Sequence, residues 1–359
     1  MNKIRIPLYE TVESTQTDVW NDSCSLNEMR YAIANGAVGA TTNPVIVQAV
    51  LSEEAEQWQS TIESLILTNP KATEEDIAWK IMIEVLLERA KLLLPVYKET
   101  KGKKGRIAIQ VNAKYYRDAD YMAEQAVYLH SLAPNITVKI PATTAGIEAM
   151  KKATTAGVNV LATVCFTVAQ SCAVAESIEE GLTIRKNSGK DISTLYPACA
   201  IMVGRTDDWL KVIANRDNII TDPGYLEWAG VAVFKRSYRI FRKKKYTTRL
   251  MSAAYRNHFH WSQFIGGDVI LTIPYKWQER FNASSIVVKP RMDDPVNPAI
   301  IKELEAKFPD FVKAYAENGL SKNEFDSYGA LSRTMRSFTE GYDKLLLMIR
   351  NIMMPNPDL

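Results

Sequence analysis

Ile136-Thr137-Val138-Lys139-Ile140-Pro141, followed at once by Ala142-Thr143-Thr144, reads as a strand that ends in a turn and hands over to a helix. Thr, Val and Ile suit a pleated, buried surface. Helical spacing of apolar residues then runs over Thr144–Ala156. Lys139 interrupts the apolar run. Lysine is rarely fully buried, because leaving water disfavours its charged form. An amine whose pKa is pushed down is neutral at working pH, and a neutral amine attacks carbonyl carbon. Lys139 is therefore a candidate Schiff-base nucleophile; a lysine facing water from a half-exposed strand is the simpler alternative.

The same strand–turn–helix unit recurs on both sides. Strands are expected at Asp18–Asp22, Ala37–Thr41, Arg106–Asn112, Val158–Cys165, Ala198–Val203, Thr248–Ala254 and Val269–Ile273, besides Ile136–Pro141. Amphipathic stretches separate them: Leu26–Asn35, Pro44–Leu67, Thr73–Val96, Ala113–Leu132, Thr144–Ala156, Thr167–Gly181, Thr206–Ala214, Gly224–Lys244 and Asn257–Ile265. Val-, Ile- and Ala-rich strands without strict alternation suit a parallel sheet covered by helices. Repeats of about 30 residues over roughly 250–280 residues predict an α/β fold, a (β/α)8 TIM barrel. The rival is a doubly wound open sheet, but no phosphate-binding glycine motif follows the first strand. After Ile273 the chain turns polar, punctuated by Pro274, Pro290, Pro295 and Pro298. Ala299–Lys307, Pro309–Asn318 and Leu331–Met353 then read as additional C-terminal helices packed on the barrel, with no strand set of their own. The expected organisation is a single domain over residues 1–359, with the barrel at about 18–275 and the extension at about 276–359.

At 359 residues, 47% apolar and 24% charged, the composition is that of a globular protein. A net charge of +3 is too small to argue for nucleic acid or an anionic membrane. No apolar run approaches about 18 residues and no signal-peptide pattern opens the chain, so no membrane association is expected. Cys24, Cys165, Cys172 and Cys199 form no C-x-x-C pair and suit reduced thiols in a cytoplasmic protein. Three histidines, with His258 and His260 two apart, argue against a metal site or a histidine triad. Arg242-Lys243-Lys244-Lys245 reads as a solvated helix C-terminus, where cations suit the dipole. Apolar C-terminal helices on a barrel of this size are compatible with a homo-oligomer.

In a parallel barrel, chemistry gathers at the C-terminal ends of the strands. Polar residues cluster there: Asp22, Thr42 and Asn43, Gln110 and Asn112, Asn159 and Thr163, Arg205, and Arg256. With an inward lysine they make a coherent aldol site. Lys139 attacks a ketone, Asp22 moves the proton of the hydroxyl beside the breaking bond, Asn43 fixes hydroxyls, and the two arginines hold a distant anion. Each has a simpler reading. Asp22 is also placed to cap the helix near Leu26, and Thr42-Asn43-Pro44 to start one. The arginines are able to serve surface ion pairs, and Asn159 and Thr163 to satisfy backbone groups.

The order of several segments resembles the transaldolase family. The segments are Gly39-Ala40-Thr41-Thr42-Asn43-Pro44, Val138-Lys139-Ile140-Pro141-Ala142-Thr143, Gly157-Val158-Asn159 through Thr163-Val164-Cys165-Phe166, Val203-Gly204-Arg205, Asp222-Pro223-Gly224 and Ala253-Ala254-Tyr255-Arg256-Asn257. The resemblance spans about Val19 to Ile273 and implies a transferase of carbohydrate metabolism, in the pentose phosphate pathway. It would move a dihydroxyacetone unit from a ketose phosphate to an aldose acceptor. It implies Lys139 as Schiff-base lysine, Asp22 as acid/base, Asn43 holding the dihydroxyacetone unit with Thr42 and Asn159 as further binding residues, Thr163 ordering a catalytic water, Gln110 at a further catalytic position, and Arg205 and Arg256 on the phosphate. No metal or organic cofactor is implied, since the protonated imine is the electron sink.

Four positions depart from transaldolases or from their relatives, the fructose-6-phosphate aldolases. Gln110 stands where transaldolases carry glutamate, and Leu161 where they carry asparagine; both are as in the aldolases. Met202 stands where those aldolases have tyrosine, and Ala254 where transaldolases place a phosphate-binding serine. Losing a hydroxyl donor to an anion typically costs about 1–3 kcal/mol. Two alternatives therefore stay open beside the transferase: a class I aldolase that releases dihydroxyacetone to water, and a catalytically silent sugar-phosphate-binding protein.

Overall fold

A computed structural model describes residues 6–358. Eight parallel strands close into a barrel in sequence order: β1 (Asp18–Asn21), β2 (Gly39–Thr41), β3 (Arg106–Gln110), β4 (Ile136–Pro141), β5 (Val160–Cys165), β6 (Ala198–Ile201), β7 (Arg249–Ser252) and β8 (Val269–Ile273). β1 closes the ring by pairing with β8 from Asp18↔Ile270 to Asn21↔Ile273. Each expected strand is present, several of them shorter by one or two residues at an end. Strand residues are buried on both faces, which is why they lack an alternating pattern. The open-sheet rival is excluded by closure.

The stretch expected as one helix over Pro44–Leu67 is two, Pro44–Glu53 and Ala55–Thr68. Glu54 leaves helical geometry at the junction. Its carboxylate accepts from Arg89 Nη2 (2.7 Å), Trp58 Nε1 (3.1 Å) and the Leu26 amide (3.0 Å). The helix Glu74–Glu99 starts at a capping box made by Thr73 and Asp76 and runs past Pro95. The basic run ends the helix Ala229–Lys244, as expected, with Lys244 beside Glu176 and Arg242 beside Asp293.

Past β8, the helices Tyr275–Asn282, Pro298–Lys307, Pro309–Tyr315 and Gly329–Met353 lie against the barrel. One buried lysine ties the connecting loop down. Lys235 Nζ donates to Arg291 O (2.7 Å), Asp294 O (2.8 Å) and Gln263 Oε1 (3.1 Å), using all three donors. Gly329–Met353 packs on Pro44–Glu53 and Glu74–Glu99. It is fixed there by Tyr342 Oη to Glu75 (2.9 Å) and by the Arg350–Glu74 ion pair. That helix therefore lies across the C-terminal mouth of the barrel. No helix among the described residues is long and apolar enough to cross a membrane.

Lys235→Met leaves two carbonyls and an amide oxygen without donors in the interior. The variant is expected to lose roughly 2–4 kcal/mol of stability, read from its urea midpoint.

Candidate active site

Lys139 lies in the middle of β4 with 6% of its surface exposed. Its Nζ donates to a single acceptor, the Thr42 carbonyl, at 3.0 Å. Burial pushes its pKa down to about 8, against the pull of Asp22; Arg205 pushes the same way as burial. Lys235 is also pushed down to about 8 by burial, but its three acceptors leave no lone-pair face open. Lys139 instead lines an open cavity at the C-terminal mouth. The difference between the two lysines is coordination, not basicity.

Asp22, Thr41, Asn43, Thr163, Arg205 and Arg256 share that cavity wall. Asp22 follows β1 and does not cap the next helix, whose N-cap is Ser25. Its Oδ1 accepts from Thr41 Oγ1 at 2.6 Å, and Thr41 Oγ1 also meets Thr272 Oγ1 at 2.6 Å. Burial raises the Asp22 pKa, countered by Lys139, the Thr41 hydroxyl and Arg205. A carboxyl held above its usual range beside a depressed amine is the pairing that proton transfer needs. Asn43 keeps its simpler role as well: its Oδ1 caps the helix Pro44–Glu53 on the Ile46 amide (3.0 Å), which leaves Nδ2 as the donor for a ligand. Thr42 donates its hydroxyl to Ala108 O (2.7 Å), so it offers Lys139 only its carbonyl.

Thr163 sits where the β5–β6 register shifts between Ala162 and Cys165. The next residue, Val164, has φ 56, a costly left-handed conformation for a β-branched side chain. Ala254 at the end of β7 has φ 65. Its carbonyl lies 1.9 Å from where a Cβ on Gly204 would stand. Only glycine lets the turn carrying Arg205 approach the segment carrying Arg256 this closely.

Arg205 is partly sheltered, and its pKa is lowered by burial first and by Arg256 second. Its Nη1 donates to Thr334 Oγ1 (3.2 Å), and its guanidinium stands 5.6 Å from the Phe338 ring centre. Arg256 is half-exposed and forks onto Asp208, with Nε at 2.9 Å and Nη2 at 2.8 Å from Oδ2. Its backbone amide donates to His260 Nδ1 (3.1 Å). His260 Nε2 then donates to Asp207 Oδ2 (2.8 Å), and Asp207 Oδ1 accepts the Gly230 amide (2.8 Å). Both ring nitrogens are thus engaged by protein, in a chain that fixes the Arg256 backbone.

Four of the expected polar residues, Thr42, Gln110, Asn112 and Asn159, do not line that cavity. Asn159 precedes β5 and lies at the opposite end of the barrel. Its Oδ1 accepts the Tyr196 amide (2.7 Å) and its Nδ2 donates to Thr194 O (3.2 Å), so its role is the backbone one. Gln110 is level with Lys139, its register partner, as Leu161 is on the other side. Its amide is buried, with neither Nε2 nor Oε1 bonded to any described residue, beside a small cavity shared with Thr42 and Asn43. Asn112 caps the turn after β3 and donates to Glu75 (3.0 Å) rather than entering the cavity. Thr41, Thr272, Asp208, His260, Thr334 and Phe338 were not among the expected site residues. Thr41 stood inside a quoted motif; the others carried no local signal, being ordinary residues brought in by strands and helices distant in sequence.

A family model described as Transaldolase/Fructose-6-phosphate aldolase matches residues 19–349. The transaldolase of Kocuria rhizophila is 27% identical over 197 residues, 53% of each chain. That of Thermobifida fusca is 28% identical over 204 residues, again 53% of each. That of Mycolicibacterium smegmatis is 27% identical over 247 residues, 66% of this chain and 65% of its own. The matched stretch thus spans about half to two thirds of these curated relatives.

His260→Ala frees the Arg256 backbone. Titration calorimetry is expected to show an anionic sugar binding about ten-fold more weakly, while borohydride labelling of Lys139 by uncharged dihydroxyacetone is unchanged.

Proposed function

Because the chain belongs to the transaldolase/fructose-6-phosphate aldolase family, we propose that it transfers a dihydroxyacetone unit from a ketose phosphate to an aldose acceptor through an imine on Lys139. One observation carries this reading: a buried amine with a single acceptor, opening on a cavity that also holds a carboxyl and two guanidinium groups. Neutral Lys139 adds to the ketose carbonyl, the departing hydroxyl takes a proton from solvent and leaves as water, and a protonated imine remains. Asp22 takes the proton of the hydroxyl two carbons from the imine carbon. The carbon–carbon bond next to that hydroxyl breaks, and its electron pair enters the imine to give an enamine. The aldose product departs. An acceptor aldehyde then takes the three-carbon unit by the reverse steps, with Asp22 returning the proton.

Asn43 Nδ2 is assigned to the hydroxyls of the retained fragment. Arg205 and Arg256 are assigned to the phosphate, with Asp208 holding Arg256 until the anion displaces it. Thr163 is assigned to the water lost and regained at the imine. The substrates are sugar phosphates, and four buried free thiols support a cytoplasmic setting.

A second reading, an aldolase that releases dihydroxyacetone to water, is favoured by one feature. Gln110 and Leu161 flank Lys139 with an amide and an apolar side chain, where a glutamate and an asparagine would hold water for proton transfer. Fructose 6-phosphate supplied without an acceptor decides between the two. Transfer predicts no accumulation of free dihydroxyacetone; steady release without acceptor sinks the transferase reading.

Trapping tests the amine itself. Borohydride with a ketose phosphate is expected to add the reduced sugar at Lys139 and not at Lys235. A mass shift absent from every ketose tried would leave a silent binding protein. Labelling should rise with pH through about 8, as the depressed amine loses its proton. Lys139→Met is expected to abolish labelling and to melt no lower than the parent, since it removes a buried charge.

A further inference from the structure

The barrel's other end holds a second buried cation with a different problem. Arg106 opens β3 and is 2% exposed. Its Nε donates to Gly102 O (3.0 Å) and its Nη2 to Thr194 O (3.2 Å). The rings of Tyr97 and Tyr196 stand 5.3 and 5.7 Å from it. No carboxylate among the described residues pairs with it, and Nη1 has no acceptor there. Arg89, the other fully buried arginine, shows what the fold does when it neutralises such a group. Its Nη2 meets Glu54 (2.7 Å), its Nη1 meets Glu88 (2.8 Å) and its Nε meets Cys24 O (2.9 Å). A buried charge without a counter-ion costs several kcal/mol, and tyrosine faces recover only part of that.

Arg106 forms part of the wall of a narrow cavity at the N-terminal mouth. Lys103, Lys104 and Arg249 share the wall, against one carboxylate, Asp18. Asp18 is already divided between Lys104 Nζ and Arg249 Nη1, each at 2.7 Å. Lys103 is exposed on the rim with no ion pair among the described residues. Asp268 also meets Arg249 Nε (2.8 Å), which still leaves four cationic side chains against two carboxylates around this pocket, and Arg106 Nη1 is buried without a hydrogen-bond acceptor among the described residues.

We propose that the N-terminal mouth of the barrel binds a phosphate-class oxyanion, held by Arg106 Nη1 and Lys103 and separate from the cavity around Lys139. A tetrahedral oxyanion matches a guanidinium edge and an ammonium group and supplies the missing counter-charge. Binding there stabilises the folded chain by mass action.

The test uses the full chain carrying Arg205→Ala and Arg256→Ala, which removes the other anion-binding pair. Orthophosphate, sulfate and glycerol phosphate are titrated by calorimetry and by melting temperature. The expected result is one saturable site whose occupation raises the melting temperature. Preference for orthophosphate and sulfate assigns the free ion; preference for glycerol phosphate assigns a phosphorylated metabolite. Lys103→Glu is expected to weaken binding at least ten-fold without altering the melting temperature in the absence of anion. Lys101→Glu makes the same charge change two residues away and off the cavity wall, and should leave binding within two-fold. Arg106→Gln should abolish it; if that variant does not fold, the Lys103/Lys101 pair decides alone. No saturable anion binding in the double variant, or equal loss from Lys103→Glu and Lys101→Glu, overturns the proposal, leaving Nη1 satisfied by water.

Discussion

The energetic constraint behind the candidate site is the removal of one amine from water with only a carbonyl to receive it. Lys139 would keep its proton if a carboxylate touched it, and would be an ordinary base if it were wet. The Thr42 carbonyl satisfies one donor without neutralising the charge, so desolvation prevails and the pKa falls to about 8. The rest of the C-terminal mouth follows from that choice. Asp22 bonds Thr41 and forms no ion pair with the amine, although both line the same cavity. The arginines share the cavity wall, and the charge of Arg205 lowers the amine's pKa further.

Much of this was legible in the chain. The eight strands were readable because both faces of each are buried, which makes short Val-, Ile- and Ala-rich runs unlike the helices between them. Lys139 was readable because it contradicts such a run. Asp22, Asn43, Thr163, Arg205 and Arg256 were readable because they follow strands or end them, and a parallel barrel collects those ends at one mouth. Asn159 does not follow that rule: it opens the expected strand Val158–Cys165 and stands before the first residue of β5, so its place along the strand already put it at the other mouth. Gln110 was placed correctly along its strand, but its amide's lack of protein partners depends on the packing of Met82 and Leu86 from a distant helix.

The helix junction at Glu54 and the support of Arg256 were not readable. Glu54 breaks a continuous helical pattern because Arg89, Trp58 and the Leu26 amide converge on its carboxylate, and no local rule links those positions. His260 stands two residues from His258, a spacing that argues against a metal pair and offers no other role. Its real partners are an aspartate on another helix and a backbone amide four residues earlier. Thr334 and Phe338 lie on an amphipathic helix whose apolar stripe reads the same whether it covers a barrel's side or its opening.

That last helix sets an order of events during synthesis. The strand bearing the amine leaves the ribosome long before Thr334 and Phe338 exist. The barrel's strands are therefore made before the helix that brings Thr334 to Arg205 and Phe338 to the cavity wall, so an unfinished chain lacks that side of the mouth.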